Sequence, residues 1–290
     1  MSVIRIGAKL PSSGVVDGRL LGELAKEAEE SGFDAVWVSD HVVMPQEIAS
    51  RYPFSADGTM TWQPEAPWID ALIAMATAAA ATDAIAVGVG VLIIPMRNPV
   101  VLAKQLATLD FLSQGRLVVG VGAGWLREEF EALQAPFETR GAVLDEWIEI
   151  LRDFWTGRPQ ARPTGHYQIP AGLLSYPAPV TPVPILIGGM SAAALRRVAV
   201  TGDGWFALQQ ADEIDPAVIA AGVDHIRTRA EEAGREPPLR VALRTPGSTD
   251  VLATRLAELV RAGVTDIVVD VDWDGDGARR TVEGLRSALP

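Results

Sequence analysis

The sequence predicts an α/β fold, a single closed (β/α)₈ barrel, on three observations. Short apolar runs rich in β-branched residues are each followed by a segment of helical spacing. That strand-then-helix unit recurs eight times without a break, and the 290 residues carry no composition shift that would mark a linker. Unbroken alternation of this kind calls for a parallel sheet, and eight units fit a closed cylinder better than an open doubly wound sheet. The expectation is one domain over 1–290 with two insertions, a lid-like stretch at 42–66 after strand two and an arm at 156–183 before strand five.

The first strand is the β-branched run 3–8, left by the polar loop 11–18. Leu20, Leu21, Leu24, Ala25 and Ala28 then share one helical face, which Gly32 terminates. "FDAVWV" at 33–38 is the second strand, and it delivers Ser39, Asp40 and His41 at its C-terminal end. Over 42–66, Pro45, Pro53, Gly58 and Pro64 break every period while Tyr52, Phe54 and Trp62 add rings, as a binding loop would. Pro67 and Trp68 open an alanine-rich helix suited to close packing on a sheet.

Strand three, 85–94, ends in Pro95, and "RNP" leads to a helix from Val100 to Leu112. Strand four, 117–121, passes through "GAGW" into "LREEFEAL" and then the longer helix "AVLDEWIEILRDFW". Within the arm, "GHYQI" reads as a small hairpin. Strands at 185–187, 204–208, 239–243 and 266–271 alternate with the remaining helices to the end of the chain.

Composition removes several classes of function. The 25 basic and 37 acidic residues give a net charge of −12, which argues against a nucleic-acid surface, so any anionic ligand must be held by local groups. Zero cysteines exclude disulfides, thiolate zinc sites and cysteine nucleophiles; three histidines far apart in sequence argue against a metal site. No run reaches the roughly 20 apolar residues of a membrane span, and the start "MSVIRIGAKL" lacks a signal-peptide core, so a cytoplasmic protein is expected.

In a barrel of this kind the loops after the strands form the functional face. Residues 39–41, 95–98, 122–125 and 188–191 are therefore expected at one mouth. His41 is the leading candidate for proton transfer or hydrogen bonding near neutral pH, with Asp40 beside it to fix its tautomer; the alternative is a loop histidine capping carbonyls. Gly88, Gly90, Gly120, Gly122 and Gly124 weaken the strands that carry them, which points to bulges or to a flat ring lying on bare backbone. Gly188, Gly189, Met190 and Ser191 open a helix, where free N–H groups and the dipole attract phosphate. Neither a phosphate-binding Gly-Lys-Ser/Thr loop nor the dinucleotide glycine fingerprint is present.

Arg97 faces either a ligand's anionic part or the acidic surface. Trp62, Trp68, Trp125 and Trp205 are candidates to wall an apolar substrate pocket, whereas Trp147 and Trp155 read as helix packing. Glu128 and Glu129 are taken as helix-start acids favoured by the dipole, without a catalytic role. His166 and His225 are expected at the surface.

"FDAVWVSDH", "YPFSADG", "VGVGVLIIPMRNPVVLAKQLATLDFLSQGRLVVGVGAGWLREEFEAL", "PVPILIGGMSAAALRRVA" and "GDGW" run in this order through most of the chain from Ile4 to Leu208. Together they resemble the bacterial luciferase-like superfamily, in the branch of coenzyme F420-dependent oxidoreductases. The resemblance implies a TIM barrel, a flavin or deazaflavin at its mouth and hydride transfer at the central ring carbon. It implies that Asp40 and His41 touch cofactor and substrate, and that Gly90 and Val91 form a strand-three bulge where relatives carry a non-proline cis peptide. Gly122, Gly124 and Trp125 match the strand-four exit, and Gly188, Gly189, Met190 and Ser191 the cofactor phosphate site. Relatives acting on sugar phosphates carry an acid where this chain has Trp125, which argues against such a substrate here.

The expected activity is F420-dependent hydride transfer to or from a small, largely apolar molecule. The alternatives are a reduced-FMN monooxygenase and a barrel that binds cofactor without turnover. By family habit the barrel is expected to form a homodimer.

Overall fold

Successive side chains of a strand point to opposite faces, so every strand turns one face toward the barrel interior and one toward the helices, and the strands are buried nearly throughout. In the computed structural model, which describes residues 4–14, 17–55, 57–60, 63–238 and 240–289, the strands are β1 (Arg5–Lys9), β2 (Ala35–Val38), β3 (Ala86–Ile93), β4 (Leu117–Gly122), β5 (Ile185–Gly188), β6 (Gly204–Leu208), β7 (Arg240–Thr245) and β8 (Asp266–Val269). All pair in parallel in sequence order, and β8 closes on β1 through Arg5–Asp266 to Ala8–Val269. The expected barrel is thus borne out.

The helices that cover it are α1 (Leu20–Ser31), α2 (Ala71–Ala81), α3 (Pro99–Leu112), α4 (Arg127–Ala132), α5 (Arg140–Trp155), α6 (Ala192–Val200), α7 (Pro216–Glu232), α8 (Thr249–Arg261) and α9 (Gly277–Ser287). Helix α2 starts later than Pro67, because Asp70 caps it by accepting from the N–H groups of Leu72 and Ile73, both at 3.0 Å. Trp68 lies ahead of that cap and bridges to Ser13. In the arm, Arg162 and Ile169 form the antiparallel bridge of the expected hairpin. Among the described residues no helix is long and apolar enough to cross a membrane.

Ala35, Trp37, Val118, Leu186, Phe206, Ala242 and Val268 come from six strands around the ring and pack into one cluster, which places them inside the cylinder. Below them, at the N-terminal ends of the strands, Asp266 pairs with Arg5 and Arg240, each at 2.8 Å. Burial works against the Asp266 carboxylate, but the two guanidinium groups and Thr265 hold its carboxyl below the usual range. Above the central cluster the same inward register brings up Lys9 on β1 and Arg244 on β7, with Asp270 just after β8.

Strand glycines have a packing reason that was not legible in sequence. A Cβ on Gly7 or Gly88 would lie 2.5 Å from the Trp37 ring, and one on Gly90 would overlap the ring of Phe206. Closing eight strands leaves room for two large rings inside only where their neighbours have no side chain. Trp37 and Phe206 meet there with centroids 5.2 Å apart.

Candidate active site at the barrel mouth

Strand β3 loses register against β4 between Val89 and Leu92, and the Gly90–Val91 peptide within that bulge is cis. The cis bond is where the resemblance implied it. The bulge turns Val91 across the mouth: a Cβ on Gly122 would lie 2.7 Å from Val91 Cγ2, and one on Gly188 would lie 2.5 Å from Val91 Cγ1. Gly90, Gly122 and Gly188 therefore converge on one place. On the side that a Cβ would occupy, Gly90 is covered by Phe206, and Gly122 and Gly188 by Val91. Gly124, at φ 85°, underlies Phe130 and Ile93 instead.

Asp40 and His41 leave β2 on opposite sides. The buried Asp40 accepts from the Ile93 N–H at 2.9 Å and from Arg97 Nη2 at 2.6 Å. Burial pushes its carboxyl up, while Arg97, the Ile93 N–H and His41 oppose that. Its side chain is fully covered, so Asp40 ties the β2 exit to the β3 exit and does not orient His41. Arg97 is spent on the same contact, with Asp70 3.6 Å from its other nitrogen, so its charge is not aimed at a ligand anion. A 3₁₀ turn at Ile94–Met96 brings Arg97 back over β2, a local bend the sequence period does not reveal.

The acid that meets His41 Nδ1 is Glu129, read from sequence as a dipole effect. Its Oε2 is 2.9 Å from His41 Nδ1, and its Oε1 accepts from the N–H groups of Val42, at 2.5 Å, and Val43, at 3.2 Å. Both side chains are buried, Glu129 at 2% exposure. A carboxylate can only accept, so Nδ1 carries the hydrogen of this pair. Glu128 adds a second clamp on the 42–66 stretch through Ser50 Oγ at 2.7 Å and the Ala49 and Ser50 N–H groups. Burial raises its carboxyl, but these bonds hold it below the usual range. The missed signal was "EE" directly after the strand-four exit, at the start of a helix only six residues long.

Rings complete the mouth. Trp68 stands edge-on to His41 at 4.8 Å, Trp125 at 6.2 Å, and Tyr52 meets Trp125 at 5.2 Å. Trp62 lies outside the described residues. Trp205 does not reach the mouth: strand alternation turns Phe206 inward and Trp205 out against Gly222 of α7, with Nε1 donating to Gly189 O at 2.8 Å. At the β5 exit Gly189 adopts φ 118°, Met190 is half-buried, and Ser191 caps α6 by accepting from Ala194 N at 3.2 Å.

Residues 2–280 match the family described as luciferase-like monooxygenase. The chain belongs to that family. An uncharacterised protein of Mycobacterium tuberculosis is 36% identical over 248 residues, 85% of this chain and 83% of the relative. An F420-dependent glucose-6-phosphate dehydrogenase of Amycolatopsis mediterranei is 30% identical over 250 residues, 83% of this chain and 69% of the relative. Among solved structures, an F420-dependent secondary alcohol dehydrogenase in complex with an F420–acetone adduct superposes with a TM-score of 0.77 at 18% identity, covering 99% of this chain and 98% of that one. The oxygenating constituent of a Pseudomonas putida diketocamphane monooxygenase in complex with FMN gives 0.76 at 14% identity, covering all of both chains. In this luciferase-like chain the shared barrel places the β2, β3, β4 and β5 exits around one mouth, as the strand order requires.

Proposed function

We propose that this luciferase-like protein is an F420-dependent oxidoreductase that moves a hydride between the deazaflavin C5 and a small, largely apolar organic substrate. The observation that carries the reading is the buried His41–Glu129 pair standing among Trp68 and Trp125 at the same mouth as the Gly90–Val91 bulge. The 30% identity to an F420-dependent dehydrogenase over most of the chain supports the cofactor.

The residues fit such a cofactor. The Gly90–Val91 peptide and Val91 side chain form a smooth apolar wall for a ring, with Gly122 and Gly188 behind them. The turn Gly188–Ser191 ahead of α6 would hold the phosphate. When bound, F420 supplies two-electron hydride chemistry at its central ring. The chain's own part is to position and to handle a proton. Glu129 fixes His41 so that Nε2 takes the proton from a substrate hydroxyl in oxidation, or returns it to a carbonyl oxygen in reduction. Asp40 and Arg97 hold the β2 and β3 exits together as positioning residues, and Trp68, Trp125 and Tyr52 exclude water from an apolar substrate.

A second reading, a reduced-FMN monooxygenase, is supported by the family description and by the FMN-bound neighbour. Side-by-side titration with F420 and FMN tests the choice. Tight F420 binding with oxygen-independent loss of its absorbance on turnover is expected; FMN-selective binding with oxygen consumption refutes it. A cytoplasmic homodimer is part of the proposal, supported by the exposed apolar residues Val101, Phe111 and Leu112 on α3. Light scattering on the eluted protein checks the dimer.

A further inference from the structure

The barrel mouth has two unlike halves. Because the strands close in order, β3, β4 and β5 stand across the opening from β7, β8 and β1. The first half is apolar and smooth, built of Val91 over Gly122 and Gly188. The second carries Lys9, Arg244 and Asp270, none of which the proposed hydride transfer uses. We propose that this second half is an anion subsite, in which Lys9, supported by Arg244, binds a carboxylate on the substrate.

Charge bookkeeping distinguishes this half from the rest of the mouth. Arg97 is neutralised by Asp40, and Arg244 is paired with Asp270 while also donating to Val268 O at 3.2 Å. Lys9 differs: its Nζ donates to Leu10 O at 2.5 Å and to the buried Ser12 Oγ at 2.9 Å, both neutral. Two of its three protons are thus spent and one is left for a ligand. The trio retains one positive charge when Lys9 is protonated.

An ammonium in such a place is costly without a counter-ion. Burial first, and Arg244 second, push the Lys9 ammonium down to about 7, with Asp270 opposing. A ligand carboxylate supplies the missing charge and reverses that shift. The chain as a whole is strongly acidic, at −12, so an anion reaching the mouth must be held by a local group of this kind. With Trp68, Trp125 and Tyr52 on one side and Lys9 below, the matching ligand is amphipathic: an apolar body with one carboxylate head.

That this ligand is the substrate rests on the proposed hydride transfer, whereas the subsite itself does not. The probes are benzoate and its neutral isostere benzamide, titrated calorimetrically into the native protein and into Lys9→Met and Lys9→Arg variants, with F420 titrated separately into each. At pH 6 benzoate is expected to bind about tenfold or more tighter than benzamide, as a charge-assisted hydrogen bond to a half-buried cation allows. Lys9→Met removes the preference and Lys9→Arg keeps it. Lys9→Met removes a half-buried charge while keeping an aliphatic chain, so it is expected to fold, and a thermal melt verifies this.

The preference also falls toward parity from pH 6 to pH 8.5, as Lys9 loses its proton through about 7. Of the charged groups that face Lys9, Arg244 on β7 is a guanidinium that stays charged over that range, Asp270 after β8 is the acid paired with it, and Tyr52, raised by burial, stays neutral. Equal binding of the two probes to the native protein overturns the proposal, as does a preference that survives Lys9→Met. So does a Lys9→Met variant that loses F420 affinity with benzoate binding unchanged, which would assign the charge to the cofactor. Failure of the native protein to bind F420 would refute the cofactor reading alone, leaving the benzoate arms to decide the subsite.

Discussion

Replacing Glu129 by Gln isolates the part of the site that sequence reading missed. The carboxylate accepts three hydrogen bonds, from His41 Nδ1 at 2.9 Å and from the N–H groups of Val42 and Val43 at 2.5 and 3.2 Å. A neutral acceptor forms bonds about half as strong, and a buried bond to a charged group contributes about 1.5–3 kcal/mol, so a loss of about 2 kcal/mol is expected even with all three geometries kept. For a chain of this size that lowers Tm by roughly 4–8 °C. The chemical effect is larger. With its oxygen held by Val42, the amide turns its NH₂ toward His41, and Nδ1 must accept. The hydrogen then moves to Nε2, the wrong tautomer for taking a proton from substrate. Loss of the orienting carboxylate beside a catalytic imidazole costs on the order of 10⁴ in kcat in the hydrolase triad, and a fall of about 10²–10⁴ is expected here. Nitrogen NMR of the labelled imidazole reads the tautomer, and F420 absorbance reads turnover. A Glu129→Gln protein with unchanged tautomer and kcat within twofold of native would refute the assignment of roles.

Three further outcomes follow from the same geometry. Gly90→Ala drives a methyl into the Phe206 ring and is expected to cost about 2–3 kcal/mol by urea denaturation, most of it recovered by adding Phe206→Leu; additive losses would refute the contact. Asp40→Asn leaves the Arg97 guanidinium without its buried counter-charge and should cost about 3 kcal/mol or more in the same assay, with Arg97→Met in that background restoring part of it. Glu128→Gln should weaken the 42–55 segment at pH 7, read as faster proteolysis. Since the folded carboxyl lies below its unfolded value, that contribution is present above the ordinary carboxylate range and is lost as pH falls through the lowered value. Native and variant rates therefore converge in acid, and a difference that persists there would refute it.

The sequence alone determined the architecture and the address of the candidate site. Eight alternations of apolar run and helical period leave little choice but a parallel barrel, and a strand such as "FDAVWV" running into Ser39, Asp40 and His41 must deliver them at the functional face. Long-range partnership was a different matter. Which acid meets His41 depends on how a six-residue helix, 88 positions away in the chain, docks over the β2 exit; neighbours in sequence gave Asp40, whereas the fold gave Glu129. Trp205 was misplaced because a one-residue change of strand phase exchanges inside for outside, and Phe206 took the interior. The glycines told of crowding by Trp37, Phe206 and Val91, which no local pattern encodes. Lys9 on β1 lies far along the chain from Arg244 on β7 and Asp270 just after β8, and only the closure of β8 onto β1 makes them neighbours.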